Sequence, residues 1–237
     1  MDGEPTENAV ADAHGDGRQQ PAKQHVVGES RWPMASAVVA LVVMQLLLPH
    51  SLIQRPTWSV PVVEGILLIA VIVGDPGRID RVSRRQHALT VVLIVSLLVN
   101  SLRATFQLTD QLVRGGSAAN SAGILLAAGG LAWLANCIAF SLLYWELDSG
   151  GPAVRAHGLP EFPDFAFFQQ QSPEFAPLDW RPQFVDYFFL GFNTGTTFGP
   201  ADTLPLVWWA KLTMMLQSGV SLILIGLVVA RAVGILR

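Results

Sequence analysis

Five long apolar runs restrict this chain to one kind of fold. They cover residues 34–53, 58–74, 88–115, 122–145 and 206–236. At a rise of 1.5 Å per residue, a helix of each length can cross a hydrocarbon core of about 30 Å. Because backbone polar groups in lipid must be hydrogen-bonded within their own segment, the runs predict helices and not open strands. We therefore predict an all-α fold, a polytopic helical membrane protein.

A sixth stretch, residues 184–198, is short and polar for a membrane span. At helical rise it covers roughly 22 Å, and it contains Asp186, Asn193 and several threonines. Stretches of this length are often re-entrant. The sequence thus predicts six membrane segments, of which the fifth is short or re-entrant.

Composition divides the chain into four parts. Residues 1–32 are polar and lack apolar periodicity, which is typical of a disordered tail. Residues 33–147 hold four predicted transmembrane helices, and residues 183–237 hold the fifth segment and the last transmembrane helix. Between them, residues 148–182 form a linker rich in proline and phenylalanine. The prolines predict that no regular element forms there, and the phenylalanines indicate that the linker lies on the membrane surface or against the rest of the protein.

Arginine and lysine residues predict the orientation, because they are enriched in cytoplasmic loops. With six spans and a cytoplasmic N-terminus, eleven of them lie inside: Arg18, Lys23, Arg31, Arg78, Arg81, Arg84, Arg85, Arg155, Arg181, Arg231 and Arg237. At most four lie outside or in helices: Arg55, Arg103, Arg114 and Lys211. This bias favours a plasma-membrane protein with both termini in the cytoplasm and with the lipid bilayer as its main partner.

Six polar residues form a stripe along the third predicted helix. They are Ser96, Asn100, Arg103, Gln107, Asp110 and Arg114. Their spacing of three or four residues puts them on one helix face. Under one hypothesis the stripe lines a wet cavity or binds a partner charge such as Glu64, because Arg103 would cost at least about 3 kcal/mol in lipid. Under the other, the helix leaves the membrane near Leu102 and the stripe is its solvated face.

The segment before the last helix carries a resemblance to a known family. Residues 186–205 have the sequence DYFFLGFNTGTTFGPADTLP. This resembles the pore region of two-helix potassium channels, where a short helix leads into Thr-Thr-Val-Gly-Tyr-Gly-Asp and then a pore-lining helix. Thr196, Thr197, Phe198 and Gly199 fall on that pattern, as does Asp202. The stretch also resembles the C-terminal segment of bacterial multi-pass membrane proteins whose function is not known.

The potassium-channel resemblance implies a re-entrant loop whose carbonyl oxygens replace the hydration shell of an ion. It implies these pore residues: Asn193, Thr194, Thr196, Thr197, Gly199, Asp202 and, in the last helix, Gln217. The polar-cavity candidates beside them are Asn100, Arg103, Gln107 and Asp110. Pro200 and Ala201 stand where the channels have Tyr and Gly, and the channel loop enters from outside, whereas the arginine count places the linker inside.

The alternative for residues 184–198 is a short fifth span. Its threonines would then bond their own backbone, and Asp202 would cap the last helix. Small residues at 127–135 predict a face for close helix packing, and Cys137 is expected to be a small buried packing residue. These features are structural and predict no chemistry.

Two functions are compatible with these features. The first is a channel-like or transport protein for small cations, and the second is a non-catalytic membrane scaffold or accessory protein that binds a partner through its linker. A homo-oligomer is compatible with either. No motif of an enzyme is present, the five histidines lack ligand spacing, and 15 basic against 18 acidic residues gives no excess for nucleic acid. We therefore expect no catalytic residues, metal or cofactor.

Overall fold

The computed structural model describes residues 28–48, 59–114, 121–158, 160–177, 180–197 and 202–236. The chain is mostly helical, which confirms the predicted class. The first two helices, α1 (Trp32–Leu47) and α2 (Ser59–Gly74), are apolar and contain 16 residues each, which corresponds to about 24 Å.

Three helices are long and apolar enough to cross a membrane. They are α3 (Arg84–Arg114), α4 (Ala122–Leu147) and α8 (Trp208–Leu236). Large apolar side chains such as Val92, Phe106 and Leu222 point outward from these helices. Outward apolar side chains are expected of helices that contact lipid.

The central helix is α4, around which α1, α3 and α8 pack. Every residue from 135 to 146 is buried. Nearer its start, Gly129 meets α8 so closely that an added Cβ would lie 2.7 Å from Val228 Cγ2. The predicted close-packing face is confirmed at this position, and Cys137 is buried as expected.

Two small antiparallel sheets join segments that are distant in sequence. In the first, β1 (Glu29–Ser30) pairs with β2 (Arg78–Ile79), which connects the chain before α1 to the α2–α3 connection. In the second, β3 (Phe165–Phe167) pairs with β4 (Thr203–Pro205), which connects the linker to the segment before α8. Each pair therefore holds its two segments at the same end of the helix bundle.

Glu29 joins the first sheet to the end of α4 and to Phe184. Its carboxylate accepts hydrogen bonds from Trp145 Nε1 at 2.8 Å and from the Phe184 N–H. Burial raises the pKa of Glu29 above its usual range, although both hydrogen bonds favour the charged form. We call this end of the bundle the linker face; it comprises the described residues of 28–31, 75–85, 148–182 and 202–207.

The prediction that no regular element forms in the linker is wrong, although its elements are short in the described residues. Besides β3, they are a 3-10 turn at Asp148–Gly150, α5 (Pro152–His157), α6 (Phe168–Gln171) and a 3-10 turn at Pro173–Phe175. Phe165 and Phe167 are buried against the protein, whereas Phe162, Phe168 and Phe175 are exposed. Phe165 and Phe167 therefore lie against the rest of the protein, which was one of the two predicted positions.

One buried carboxylate, that of Asp148, fastens the linker to the end of α4. Its Oδ1 accepts the N–H groups of Asp164 at 3.1 Å and Phe165 at 3.3 Å. Its Oδ2 accepts the hydroxyl group of Tyr187. Asp148 is only 1% exposed, so these donors replace the water that its charge would otherwise bind.

The last two helices run in the same direction. The fifth predicted segment forms α7 (Phe184–Thr197). Its first residue, Phe184, meets the Trp145 ring edge-to-face at the end of α4, and the Gly195 carbonyl group near its last turn accepts the Trp133 indole N–H in the middle of α4. Since α8 also starts at the linker face and meets Gly129 further along, α7 and α8 are both antiparallel to α4.

Part of the predicted tail belongs to the folded protein. Arg31 is buried and its Nη2 pairs with Asp75 Oδ2 at 2.8 Å. Residues 28–31 are thus anchored, whereas residues 1–27 of the predicted tail lie outside the described residues. Residues 198–201, which include the predicted pore residue Gly199, also lie outside them.

Candidate functional site

Two glycines bring α7 into close contact with α4. A Cβ added to Gly191 would overlap Ser141 Oγ and lie 3.0 Å from the carbonyl oxygen of Cys137. A Cβ added to Gly195 would lie 2.9 Å from Cys137 Sγ. The four-residue spacing puts both glycines on one face of α7. Only the absence of side chains there allows the two backbones to approach so closely.

The predicted pore threonines of α7 bond their own helix. The hydroxyl groups of Thr194, Thr196 and Thr197 donate to the carbonyl oxygens four residues earlier, at 2.7–2.8 Å. Thr194 is fully buried, whereas Thr196 and Thr197 are exposed. This is the bonding that the short-span alternative predicts, and it is equally compatible with a re-entrant helix.

Side chains of α4 and α8 bond the carbonyl groups along α7. Gln217 donates from Nε2 to the Gly191 carbonyl at 2.6 Å and accepts the Tyr144 hydroxyl at 2.7 Å. Ser218 donates to the Thr194 carbonyl at 3.2 Å. The structure therefore brings the predicted site residues Thr194 and Gln217 together around one helix.

The last turn of α7 ends in a polar environment among the helices. Trp133 Nε1 donates to the Gly195 carbonyl at 3.2 Å. Close by, the Ser221 hydroxyl is buried and has no hydrogen-bond partner among the described residues. A helix C-terminus carries partial negative charge on its unpaired carbonyl groups. The carbonyl groups at this end of α7 can therefore stabilise a cation or accept a hydrogen bond from the O–H group of a water molecule.

The other two predicted pore residues that the structure describes lie at opposite ends of α7: Asn193 is in its last turns, and Asp202 is at the linker face beside β4. Asn193 is half-buried, and its carbonyl group accepts the Thr197 hydroxyl. Asp202 is exposed and lies six residues before α8 begins at Trp208. The prediction that Asp202 caps α8 is therefore wrong, because a capping residue directly precedes its helix.

The polar stripe of α3 divides into two parts. At one part, Ser96 donates to Glu64 of α2 at 3.4 Å and Asn100 donates to Gln45 of α1 at 2.8 Å. At the other end of the stripe, Asp110 pairs with Arg114 at 2.8 Å on the exposed surface. Glu64 is thus a partner of the stripe, as the first hypothesis expects, whereas Asp110 and Arg114 lie on the exposed surface of the helix.

Where the stripe contacts α1 and α2, several buried polar atoms have no hydrogen-bond partner among the described residues. Glu64 is 0% exposed, yet its Oε2 has no hydrogen-bond partner among the described residues. The same holds for Gln45 Nε2 and for Gln107 Oε1. Arg103, between these residues, is half-buried. Unpaired buried donors and acceptors are costly, and a bound water molecule is the usual way to satisfy them.

Sequence analysis missed a second polar contact in the helix core. Asn136 of α4 accepts the Ser101 hydroxyl at 3.1 Å and donates to Thr105 Oγ1 at 2.8 Å. All three residues are buried. The four-residue spacing of Ser101 and Thr105 was the available signal, as was that of Gly191 and Gly195, but neither spacing identifies the partner.

The predicted site residues do not form one cluster. The contacts of Asn100 are with α1 and the contacts of Ser96 are with α2, whereas α7 packs on α4 and α8. Among the described residues, no group of three or more His, Cys, Asp or Glu side chains could hold a metal ion. In comparisons with protein-family models, curated proteins and solved structures, nothing matches this chain.

Proposed function

We propose that this chain is a channel-like or transport protein of the plasma membrane for small cations. In this proposal α7 is a re-entrant half-helix that enters from the linker face and ends among the transmembrane helices. The cation passes the C-terminal end of α7, where Asn193, Thr194 and Thr197 lie. As in potassium channels, a pore built from one half-helix per chain would require a homo-oligomer.

The observation that carries the proposal is the pairing of β3 with β4. It puts Thr203, only six residues after the last residue of α7, back at the linker face. Six residues can cover about 20 Å, and the 14 residues of α7 cover about 21 Å. The chain is therefore long enough to return to the face from which α7 started, which supports a re-entrant loop and not a fifth crossing.

A re-entrant α7 also removes a conflict in the sequence analysis. The linker face carries Arg31, Arg78, Arg81, Arg84, Arg85, Arg155 and Arg181. Because lysine and arginine favour the cytoplasm, this face is cytoplasmic in our proposal. The loop then enters from the cytoplasm, unlike that of potassium channels, and five crossings leave the C-terminus outside.

The first prediction concerns the sidedness of the loop. In a Cys137→Ser background, single cysteines replace Glu174 in the linker, Leu204 in β4 and Ser121 at the opposite end of the bundle. All three positions are exposed. With an impermeant thiol reagent, we expect Glu174→Cys and Leu204→Cys to react only in lysed cells and Ser121→Cys to react in intact cells. Reaction of the first two on opposite sides of the membrane would show that α7 crosses it.

The second prediction tests transport itself. Thr197→Ala removes a hydroxyl group at the end of α7, and Gly199→Val adds a side chain beside it. In liposomes that contain the purified protein, we expect either change to alter K⁺ or Na⁺ flux about fivefold, the effect of roughly 1 kcal/mol. The matched control is Thr213→Ala, whose hydroxyl makes the same backbone bond in α8. Unchanged flux in both variants, with normal expression, would reject cation transport through this site.

The alternative function is a membrane scaffold that binds a partner through the linker. The observation that favours it is a group of exposed aromatic side chains, those of Phe162, Phe168 and Phe175. The rings of Phe168 and Phe175 are stacked, with their centroids 5.7 Å apart. Exposed aromatic residues are frequent in protein interfaces. This function predicts no flux, together with a crosslinked partner that is lost when residues 148–182 are replaced by a Gly/Ser linker.

A further inference from the structure

A cavity of about 210 Å³ opens on the linker face, away from α7. It lies between the start of α3, the end of α4 and the start of α5. One water molecule requires roughly 10–15 Å³ of such space, so the cavity can hold a much larger group. Part of its wall is apolar and is formed by Ile79, Val82 and Trp145.

The floor of the cavity is a buried carboxylate that already has a partner. Glu146 is 3% exposed and contacts His87 Nδ1 at 2.7 Å. Gly151, with a φ of +98°, lies directly above them, since an added Cβ would be 3.0 Å from the Glu146 carbonyl oxygen and 3.5 Å from His87 Nδ1. A glycine at this corner therefore keeps the space over the floor open.

The remaining charged groups of the cavity are three arginines and Asp75, whose carboxylate is paired with Arg31. Arg31 is 4% exposed and bonds Asp75 through Nη2, but its Nε has no partner among the described residues. Arg81 and Arg84 are exposed at the rim, and in the described part of the chain neither forms an ion pair. The cavity thus offers one buried unpaired N–H donor and two available guanidinium groups.

The backbone adds to this positive character. Ser83 and Arg84, at the N-terminus of the 31-residue helix α3, line the cavity. The first N–H groups of a helix have no partner within the helix and carry partial positive charge, which favours a bound anion; in α3 the Gln86 N–H donates to Ser83 Oγ at 3.5 Å. Arginine in addition matches the geometry of phosphate oxygens through paired N–H donors.

From these features we infer that the cavity binds a phosphate-bearing ligand, either the headgroup of an anionic phospholipid or a free phosphate. Its phosphate group contacts Arg81, Arg84 and Arg31 Nε at the start of α3. In the lipid case, the glycerol and the first methylene groups lie along Val82 and Trp145. Arginine-rich segments beside membrane helices attract anionic headgroups. This inference does not depend on cation transport by α7.

The chain provides a matched control for the test. Arg78 and Arg85 are exposed in the same segment as Arg81 and Arg84, but they do not line the cavity. Arg81→Gln/Arg84→Gln and Arg78→Gln/Arg85→Gln therefore remove the same charge from the same face. The full chain in a neutral detergent is titrated with phosphatidylglycerol, with phosphatidylcholine and with inorganic phosphate, and Tm is measured at each concentration.

We expect phosphatidylglycerol to raise the wild-type Tm saturably. Its apparent Kd should rise roughly tenfold or more in Arg81→Gln/Arg84→Gln and less than about threefold in the control pair. If inorganic phosphate gives the same pattern, the ligand is free phosphate. If phosphatidylglycerol gives the pattern and inorganic phosphate does not, the ligand is the lipid headgroup. Equal weakening in both pairs, or an equal effect of phosphatidylcholine, would overturn the inference, because the attraction would then be general to the surface or to acyl chains.

Discussion

Gly191→Ala is expected to separate α7 from α4 and to destabilise the protein by about 2–3 kcal/mol. The new Cβ would overlap Ser141 Oγ and press on the Cys137 carbonyl group. The serine cannot swing away freely, because its hydroxyl bonds that same carbonyl group at 2.6 Å. In detergent, Tm should fall by roughly 5–10 °C.

The matched control for this change is Gly130→Ala in α4. An added Cβ there meets nothing within 4 Å, so the higher helix propensity of alanine should leave the protein as stable or up to about 1 kcal/mol more stable. Ser141→Gly combined with Gly191→Ala should recover part of the lost Tm, since it removes the overlapped atom. Equal Tm for Gly191→Ala and Gly130→Ala would contradict the close contact between α7 and α4.

Asp148→Ala is expected to release the linker from the helix bundle. The change leaves the Asp164 and Phe165 N–H groups and the Tyr187 hydroxyl without their acceptor. Loss of a buried, multiply bonded carboxylate should cost about 3–5 kcal/mol. Since β3 depends on these bonds, its pairing with β4 should weaken, and limited proteolysis within residues 158–177 should become at least about tenfold faster.

Two variants distinguish this role of Asp148 from a general effect of charge. Asp148→Asn keeps an acceptor oxygen and should be cleaved at an intermediate rate. Glu174→Ala removes a carboxylate that is exposed on the same linker, and it should be cleaved like the wild type. A wild-type cleavage rate for Asp148→Ala would show that other contacts hold the linker in place.

Much of the helical structure could be predicted from residues that are close in sequence. The last apolar run was predicted at 206–236 and is α8 (Trp208–Leu236); the fourth was predicted at 122–145 and is α4 (Ala122–Leu147). Hydrophobic length and flanking polar residues define such elements locally. The polar stripe of α3 was also predictable as one helix face, because it depends only on spacing.

The partners of these residues could not be predicted in the same way. Ser96 and Asp110 belong to one stripe, yet one contacts Glu64 of α2 and the other pairs with Arg114 at the surface. The linker carboxylates gave no signal that distinguished Asp148 from its exposed neighbours. Such differences arise from which helix packs on which face, and no local period encodes that.

The sequence by itself therefore determined that this protein is built from apolar helices, the bounds of α4 and α8 to within two residues, and that residues 184–198 differ from the other segments. Only the tertiary structure decided that Gly191 meets Ser141, that Asp148 holds the linker and that Thr203 returns to the side of Phe167. The physical reason is distance along the chain. Helix formation depends on bonds between residues four apart, whereas these contacts join residues that are 16 to 50 positions apart and that meet only after the helices have packed.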